Sequence, residues 1–325
     1  MTPKVSVIVP VYNSSKYIAK CCSSLFEQTL DSLQFIFVDD GCNDGSIDIV
    51  KETLSAYPHR TGQVLFICHD ENLGVGAARN IGLKEATGDF IIQCDSDDWV
   101  EPDAYKSLFE RAVIEDADIV TCGYCLDSDD GKCKNVVSAL QIDDNHLTFD
   151  ISPQTGSLFL KLIRRDFIVA NNLQVPDDID WGEDLCFSLQ SLLLSQKTVS
   201  LNRPFYHHIQ HDDSLTHTLN SDKCMSLIRC GHVIEDFLKK NTLSEKYSFQ
   251  LNWLKFQLKQ YLLIFPQTRD IQLWKSIYPE CHKDLIHYNT MRYLKVASWL
   301  LVHHSDNAAI SVLKLRDILS PLKNR

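Results

Sequence analysis

Residues 5–11 read VSVIVPV, apolar and mostly β-branched, the pattern of a strand covered on both faces. FIFV at 35–38, VLFIC at 64–68 and FIIQC at 90–94 repeat it. Between these runs apolar residues return at helical spacing: Ile18, Cys22 and Leu25, then Ile47, Val50 and Leu54, then the segment 76–86. Asn13, Ser14 and Ser15 offer N-caps to the first of these helices. Alternating strands and helices predict a parallel sheet with right-handed crossovers. In such a sheet ligands gather at the carboxyl ends of the strands.

Beyond residue 100 the alternation loosens. The pattern predicts a helix from about Ala104, a strand over 118–124, a polar irregular stretch over 126–150, helices over 157–170 and 184–195, and a strand at 198–202. From residue 221 it predicts helices only, such as 244–265 and 289–303. Charge divides along the same line. Residues 219–325 carry 16 Lys+Arg against 9 Asp+Glu, while the preceding 218 carry 16 against 34. An acidic front and a basic, helical end suggest two parts with different jobs. The acidic front also argues against nucleic acid as its ligand.

Hydrophobic residues at 44% and charged ones at 23% describe a folded, soluble chain. No signal peptide or run of about 18 apolar residues is expected, which places the chain in the cytoplasm. Twelve scattered cysteines then read as reduced thiols. Cys122 and Cys125 form a C-x-x-C without the second pair that a zinc ribbon needs.

The candidate chemistry lies at the strand ends. Asp95-Ser96-Asp97 comes after the fourth strand, and two carboxylates so spaced can reach one hard divalent cation. They equally fit a solvated turn with Asp98 capping the next element. In FVDDGCNDGS (37–46) Asp39 or Asp40 could accept from an N–H of a base while Gly41 and Gly45 permit the tight turn. A βα loop capped by Asp44 or Ser46 reads the same way. ENLGVGAARNIGL (71–83) looks like a dinucleotide fingerprint, but Arg79 stands where its third glycine belongs. Arg79 and a helix N-terminus can hold an anionic diphosphate instead. WGEDLCF (181–187) puts Glu183 and Asp184 at a helix start, where the dipole favours them and where either could act as a base. YHHIQHDDSLT (206–216) holds three histidines, and in an extended segment His207 and His208 face opposite ways.

In this order VSVIVPVYN, FVDDGCNDGS, ENLGVGAARNIGL, CDSDDWV, WGEDLCF and YHHIQHDDSLT resemble the inverting family 2 glycosyltransferases of the GT-A fold. LKLIRRDFI resembles the basic segment of the branch that builds bacterial cell-surface polysaccharides. The resemblance spans residues 5–216. It implies an α/β fold, a Rossmann-like, mostly parallel sheet flanked by helices and followed by a helical C-terminal region. The catalytic domain would cover 1–218, with a nucleotide-binding half (1–100) and an acceptor-binding half (101–218), and 219–325 would form the helical region. Pro10, Tyr12, Asp39 and Asp40 would line the nucleotide pocket, with Asp40 on the base. Asn72 and Arg79 would extend it towards ribose and phosphates. Asp95 and Ser96 would meet the nucleotide-sugar, and Asp97, the more direct ligand, would hold Mn²⁺ or Mg²⁺ with Asp95, with His208 at the margin. Asp184 would be the base and Glu183 would orient it or hold the acceptor, a glycan or lipid-linked glycan. Cys42 stands where relatives carry serine. His208 and His211 stand where many carry arginine, and would take over phosphate contacts with less charge at neutral pH.

Two alternatives share these features: a sugar nucleotidyltransferase, which lacks its glycine-rich loop here, and a catalytically degenerate binding module. Residues 291–325 interleave six Lys+Arg with Trp299, Leu300, Leu301, Leu313 and Leu315. Such a segment fits peripheral contact with the inner face of an anionic membrane, or an ordinary packed appendage or homodimer contact.

Overall fold

A computed structural model describes residues 2–128, 133–140, 147, 149–210 and 220–319. His211 and residues 320–325 lie outside the described residues. The chain forms two compact units, one of Met1–Leu147 with Ser152–Ser214, the other of Thr148–Ile151 with Leu215–Arg325.

The first unit is built on a nine-stranded sheet. Its strands are β1 (Val5–Val11), β2 (Leu33–Asp39), β3 (Val64–Cys68), β4 (Phe90–Gln93), β5 (Trp99–Val100), β6 (Ile119–Asp127), β7 (Cys133–Val137), β8 (Lys161–Arg164) and β9 (Thr198–Ile209). The order is β3-β2-β1-β4-β8-β6-β9-β5, with β7 paired to β6. The first four are mutually parallel, β8 runs antiparallel to β4 and β6, and β9 runs parallel to β6. Strand order reverses between β1 and β4, the place where open α/β sheets leave a crevice. All seven residues of β1 and all four of β4 are buried, which is why both read as unbroken apolar runs.

The helices of this unit are α1 (Ile18–Phe26), α2 (Ser46–Ser55), α3 (Val75–Glu85), α4 (Ala104–Glu115), α5 (Pro153–Gly156), α6 (Arg165–Ala170) and α7 (Glu183–Leu194). Three expectations need correction. Helix α1 starts at Ile18 behind Tyr17, with no side-chain cap. Asn13 lies at φ 49° and Ser14 bonds elsewhere, so neither caps it. Of the expected helix 157–170 only α6 and a 3-10 turn at Leu158–Leu160 are helical, because Lys161–Arg164 pairs with β4 and β6 and tertiary pairing overrides local pattern. The polar stretch 126–150 contains strand β7, whose residues are mostly exposed and so lack an apolar signal.

The second unit is helical: α8 (Ser221–Lys240), α9 (Ser248–Ile264), α10 (Ile271–Ser276), α11 (Arg292–Val302) and α12 (Asp306–Leu319). Helix α9 buries Leu251, Leu254, Phe256, Leu258, Leu262 and Leu263, more than one face of a surface helix holds. No helix among the described residues is long and apolar enough to cross a membrane.

Candidate active site

The carboxyl ends of β1, β2 and β4 supply the first wall. After β2, Asp39 Oδ1 accepts from the Cys42 amide (2.8 Å) and closes the turn. Gly41 sits at φ +75°, and a Cβ there would fall 2.8 Å from the Asn72 nitrogen, so only glycine lets the two loops touch. Asp40 is buried and fastens the same pair of loops. Its Oδ1 accepts from the Leu73 amide (2.9 Å) and lies 2.8 Å from His69 Nδ1, and its Oδ2 accepts from the Gly74 amide (2.9 Å). Asn72 Oδ1 also accepts from the Gly74 amide (3.0 Å). Tyr12, at the end of β1, is half exposed. Pro10 pairs with Val38 within the sheet.

Ser96 is buried, and its hydroxyl shares a 2.6 Å hydrogen bond with Ser14. The Ser14 amide donates to Ser46 Oγ (2.9 Å), so the loops after β4, β1 and β2 are tied in series. Asp44 accepts from the Ser46 hydroxyl (2.5 Å) and from the Ser46 and Ser15 amides, and against the opposing effect of burial these bonds pull its pKa down to about 2.

Asp98 is no cap. It is buried and accepts from Tyr206 Oη (2.7 Å) and the Ile209 amide (2.8 Å), with His208 Nδ1 at 3.1 Å. Burial pushes Asp98 up to about 6, with His208 opposing the rise. Burial also disfavours a charged His208, but the hydrogen bond and charge of Asp98, with Asp95 and Asp97 behind them, outweigh it and raise His208 to about 9. Asp98 thus favours the charged form of His208. His207 faces away: its Nδ1 lies 3.0 Å from Asp127 Oδ2, its Nε2 3.1 Å from Glu101 Oε1, and its ring stacks on Trp99.

The second wall is the start of α7. Gly182 takes φ 98° just before it, a conformation that glycine adopts without strain. Glu183 is buried in contact with Arg79, while Asp184 beside it is partly exposed. Arg79 is itself buried and also donates to Asp95 Oδ1 (3.2 Å). Helix α3 thus braces α7 against the end of β4. Its neighbour Asn80 clamps the chain leading to α7, donating to the Val175 carbonyl (2.8 Å) and accepting from the Val175 amide (2.9 Å). Gly76 admits the Pro176 carbonyl, which a Cβ would meet at 2.8 Å. Gly76 and Arg79 of ENLGVGAARN therefore serve helix docking, a role their spacing did not announce.

Burial raises Glu183 to about 7; Arg79 opposes the rise and Asp184 adds to it. Burial likewise raises Asp95, with Arg79 opposing and Asp97 and Asp184 adding repulsion. Arg79 and His208 lie among the carboxylates of Asp95, Asp97, Asp98, Glu183 and Asp184, which repel one another. Asp95, Asp97 and Asp184 are partly exposed. Hard oxygen donors crowded together fit a divalent cation.

The model of the family "Glycosyl transferase family 2" matches residues 6–161. EpsH of Bacillus subtilis (strain 168), classed as a glycosyltransferase, is 32% identical over 259 residues, which cover 77% of this chain and 74% of EpsH. The chain belongs to glycosyltransferase family 2. S. aureus TarS 1-349, solved in complex with UDP-GlcNAc, superposes with a TM-score of 0.66 at 20% identity, covering 96% of this chain and 90% of that one. Mannosyltransferase PcManGT from Pyrobaculum calidifontis, solved with GDP-Man and Mn²⁺, gives 0.56 at 14% identity, covering 98% and 88%. The fold of this family 2 chain is GT-A, a mixed α/β sheet followed by a helical region.

Proposed function

We propose that this transferase moves a sugar from a nucleotide-sugar, UDP-linked by preference, to a hydroxyl of a glycan or lipid-linked glycan in cell-surface polysaccharide synthesis, with inversion. The observation that carries the mechanism is the unequal treatment of two adjacent carboxylates. Glu183 is locked to Arg79, and Asp184 is left partly exposed next to Asp95. Asp184 takes the acceptor hydroxyl's proton as its oxygen bonds to the anomeric carbon. The bond from that carbon to the diphosphate oxygen breaks on the opposite face, and the nucleoside diphosphate leaves. Glu183 and Arg79 position Asp184 and need not touch the substrate.

Asp97 and Asp95 would hold Mn²⁺ or Mg²⁺, which when bound stabilises charge on the departing diphosphate. His208 keeps its proton and gives Nδ1 to Asp98, so it suits a charge partner of phosphate better than a metal ligand. Asp40 has three of its roughly four lone-pair sites occupied, which leaves one on Oδ2 for an N–H of the base. Tyr12 offers its ring and Asn72 its amide at the pocket rim, with Pro10, Asp39 and Ser96 shaping the floor. Complexes of the neighbours with UDP-GlcNAc and with GDP-Man and Mn²⁺ support this class of donor and ion.

Asp184→Asn tests the reading. Turnover should fall by about a hundredfold to ten-thousandfold, with UDP affinity in calorimetry within a factor of three of wild type. Lost UDP binding would remove Asp184 from the role of base. Absence of UDP release with every sugar and acceptor tried would restore the degenerate-module alternative.

Helix α11 exposes Arg292, Val296, Trp299 and His303 on one face, and α12 exposes Lys314, Leu315, Ile318 and Leu319. Apolar and basic side chains so mixed support peripheral contact with an anionic membrane, where a lipid-linked acceptor resides.

A further inference from the structure

Strands β6 and β7 run antiparallel, and their register shifts between Leu126 and Asp127. Cys133 is paired with Asp127 there, and Cys125 lies two residues along from Asp127. The sulfurs of Cys125 and Cys133 and a carboxylate oxygen of Asp127 all fall within 4.8 Å of one another. The C-x-x-C of the sequence is thereby divided, since Cys122 sits in the hydrophobic core while Cys125 meets Cys133.

Asp127 is unusual in this setting. Its side chain is fully buried, and among the described residues no lysine or arginine pairs with it. A buried carboxylate needs compensation. Trp99 Nε1 donates to its Oδ2 (3.1 Å) and His207 Nδ1 lies 3.0 Å away, an arrangement that fixes the carboxylate's orientation as outer-shell partners fix a metal ligand. Cys125 is buried and Cys133 is exposed, so an ion would arrive from the Cys133 side.

Two sulfurs and one carboxylate oxygen form a mixed soft and hard donor set. It suits Zn²⁺ and disfavours Mg²⁺ or Mn²⁺, which prefer the all-oxygen cluster at Asp95 and Asp97. Tetrahedral bonds of about 2.3 Å to sulfur set the two sulfurs roughly 3.8 Å apart. Ligand atoms already within 4.8 Å of each other need only a small closing movement.

We propose that Cys125, Asp127 and Cys133 bind one Zn²⁺, with water in the fourth position. Both S–H protons pass to solvent as two Zn–S bonds form, and the Asp127 oxygen supplies the third protein bond. The ion clasps β6 to β7. Through Asp127 it also holds Trp99 and His207, whose stacked rings (centroids 3.5 Å apart) adjoin Asp98 and His208 in sequence. The site is separate from the transferase reading and stands whether or not that reading survives.

The test uses full-length protein, stripped with chelator and kept reduced, in an Asp97→Asn background that removes the oxygen site. Zn²⁺ competed against a chromophoric chelator should bind one equivalent, release protons and raise Tm. Co²⁺ should give thiolate-to-metal charge-transfer absorption. Cys133→Ser, at an exposed position that folding tolerates, should abolish that absorption, whereas Cys68→Ser, exposed on β3, should leave it intact. Trp99→Phe should weaken Zn²⁺ by about ten- to a hundredfold. A Co²⁺ complex without the thiolate band, equal affinity in Cys133→Ser, or a Cys125–Cys133 disulfide in the reduced preparation would each overturn the site.

Discussion

The sheet unit sinks carboxylates below its surface, Asp98 and Glu183 among them, together with Arg60, Arg79 and Lys161, whereas the buried charges of the helical unit are, among the described residues, the amines of Lys255 and Lys259. In the helical unit charge closes on itself. Lys255 Nζ donates to Glu235 (2.8 Å) and Glu280 (2.7 Å). Lys259 Nζ donates to the Ile277 carbonyl (2.5 Å), lies 2.7 Å from His282 Nε2, and rests over the Trp274 ring. At the sheet edge, by contrast, Arg79 and His208 lie among five mutually repelling carboxylates, of which Asp95, Asp97 and Asp184 are partly exposed. Paired, buried charge is structure; crowded, partly exposed carboxylates suit a ligand.

The comparison breaks most directly at its two central cations. Arg79→Met strands the buried Glu183 and should cost about 3 kcal/mol in urea melts. Lys255→Met should cost only about 1 kcal/mol, because Glu235 and Glu280 are partly exposed and can rehydrate. Equal costs would erase the distinction between brace and closed pair. Asp97→Asn sharpens it from the other side: Mn²⁺-dependent UDP binding should disappear, while Tm without nucleotide stays at or above the wild-type value. A marked drop in that Tm would give Asp97 a structural role instead.

An effect between those of Arg79→Met and Lys255→Met is expected with pH. Burial, with Lys259 adding repulsion, lowers His282 to about 4 from an ordinary 6.5. The folded state then binds fewer protons than the unfolded state between those values. Stability of the helical unit should be complete above pH 6.5 and decline as pH falls towards 4, by about 1–2 kcal/mol after solvent screening. His282→Gln should flatten that slope in thermal melts; an unchanged slope would assign it to other groups. Smallest of all, Trp299→Ser should reduce sedimentation with anionic vesicles a fewfold without changing Tm. Substitution suits this test better than truncation, because Leu294, Leu301 and Leu313 are buried. Unchanged sedimentation would leave α11 an ordinary surface helix.

The four parallel strands and the order of the acidic motifs are legible in the sequence because β1, β2 and β4 are mostly buried on both faces, although β3, just as apolar, is partly exposed at the sheet edge. Strand β8 is not legible, since KLIR has no alternation and its pairing with β4 and β6 is entirely long-range. Asp98 reads as a cap because sequence shows its neighbours and hides Tyr206 and Ile209, more than a hundred residues away. Charge alone assigns Arg79 to a diphosphate; its pairing with Glu183 spans 104 positions. Charge type is readable, and charge balance is not.

The distance from Asp98 to Ile209 also has a meaning in time. The amide that grips Asp98 is made 111 residues after it. At about 5–20 residues per second, synthesis leaves an interval of roughly 5–20 s in which the first four strands can exist and Asp98 lacks its partners on β9. A nascent chain released within that interval would carry the nucleotide-facing sheet with Ser96 and Asp95 held by Ser14 and Arg79 but Asp98 ungripped, so the order of translation itself withholds the finished turn until β9 emerges.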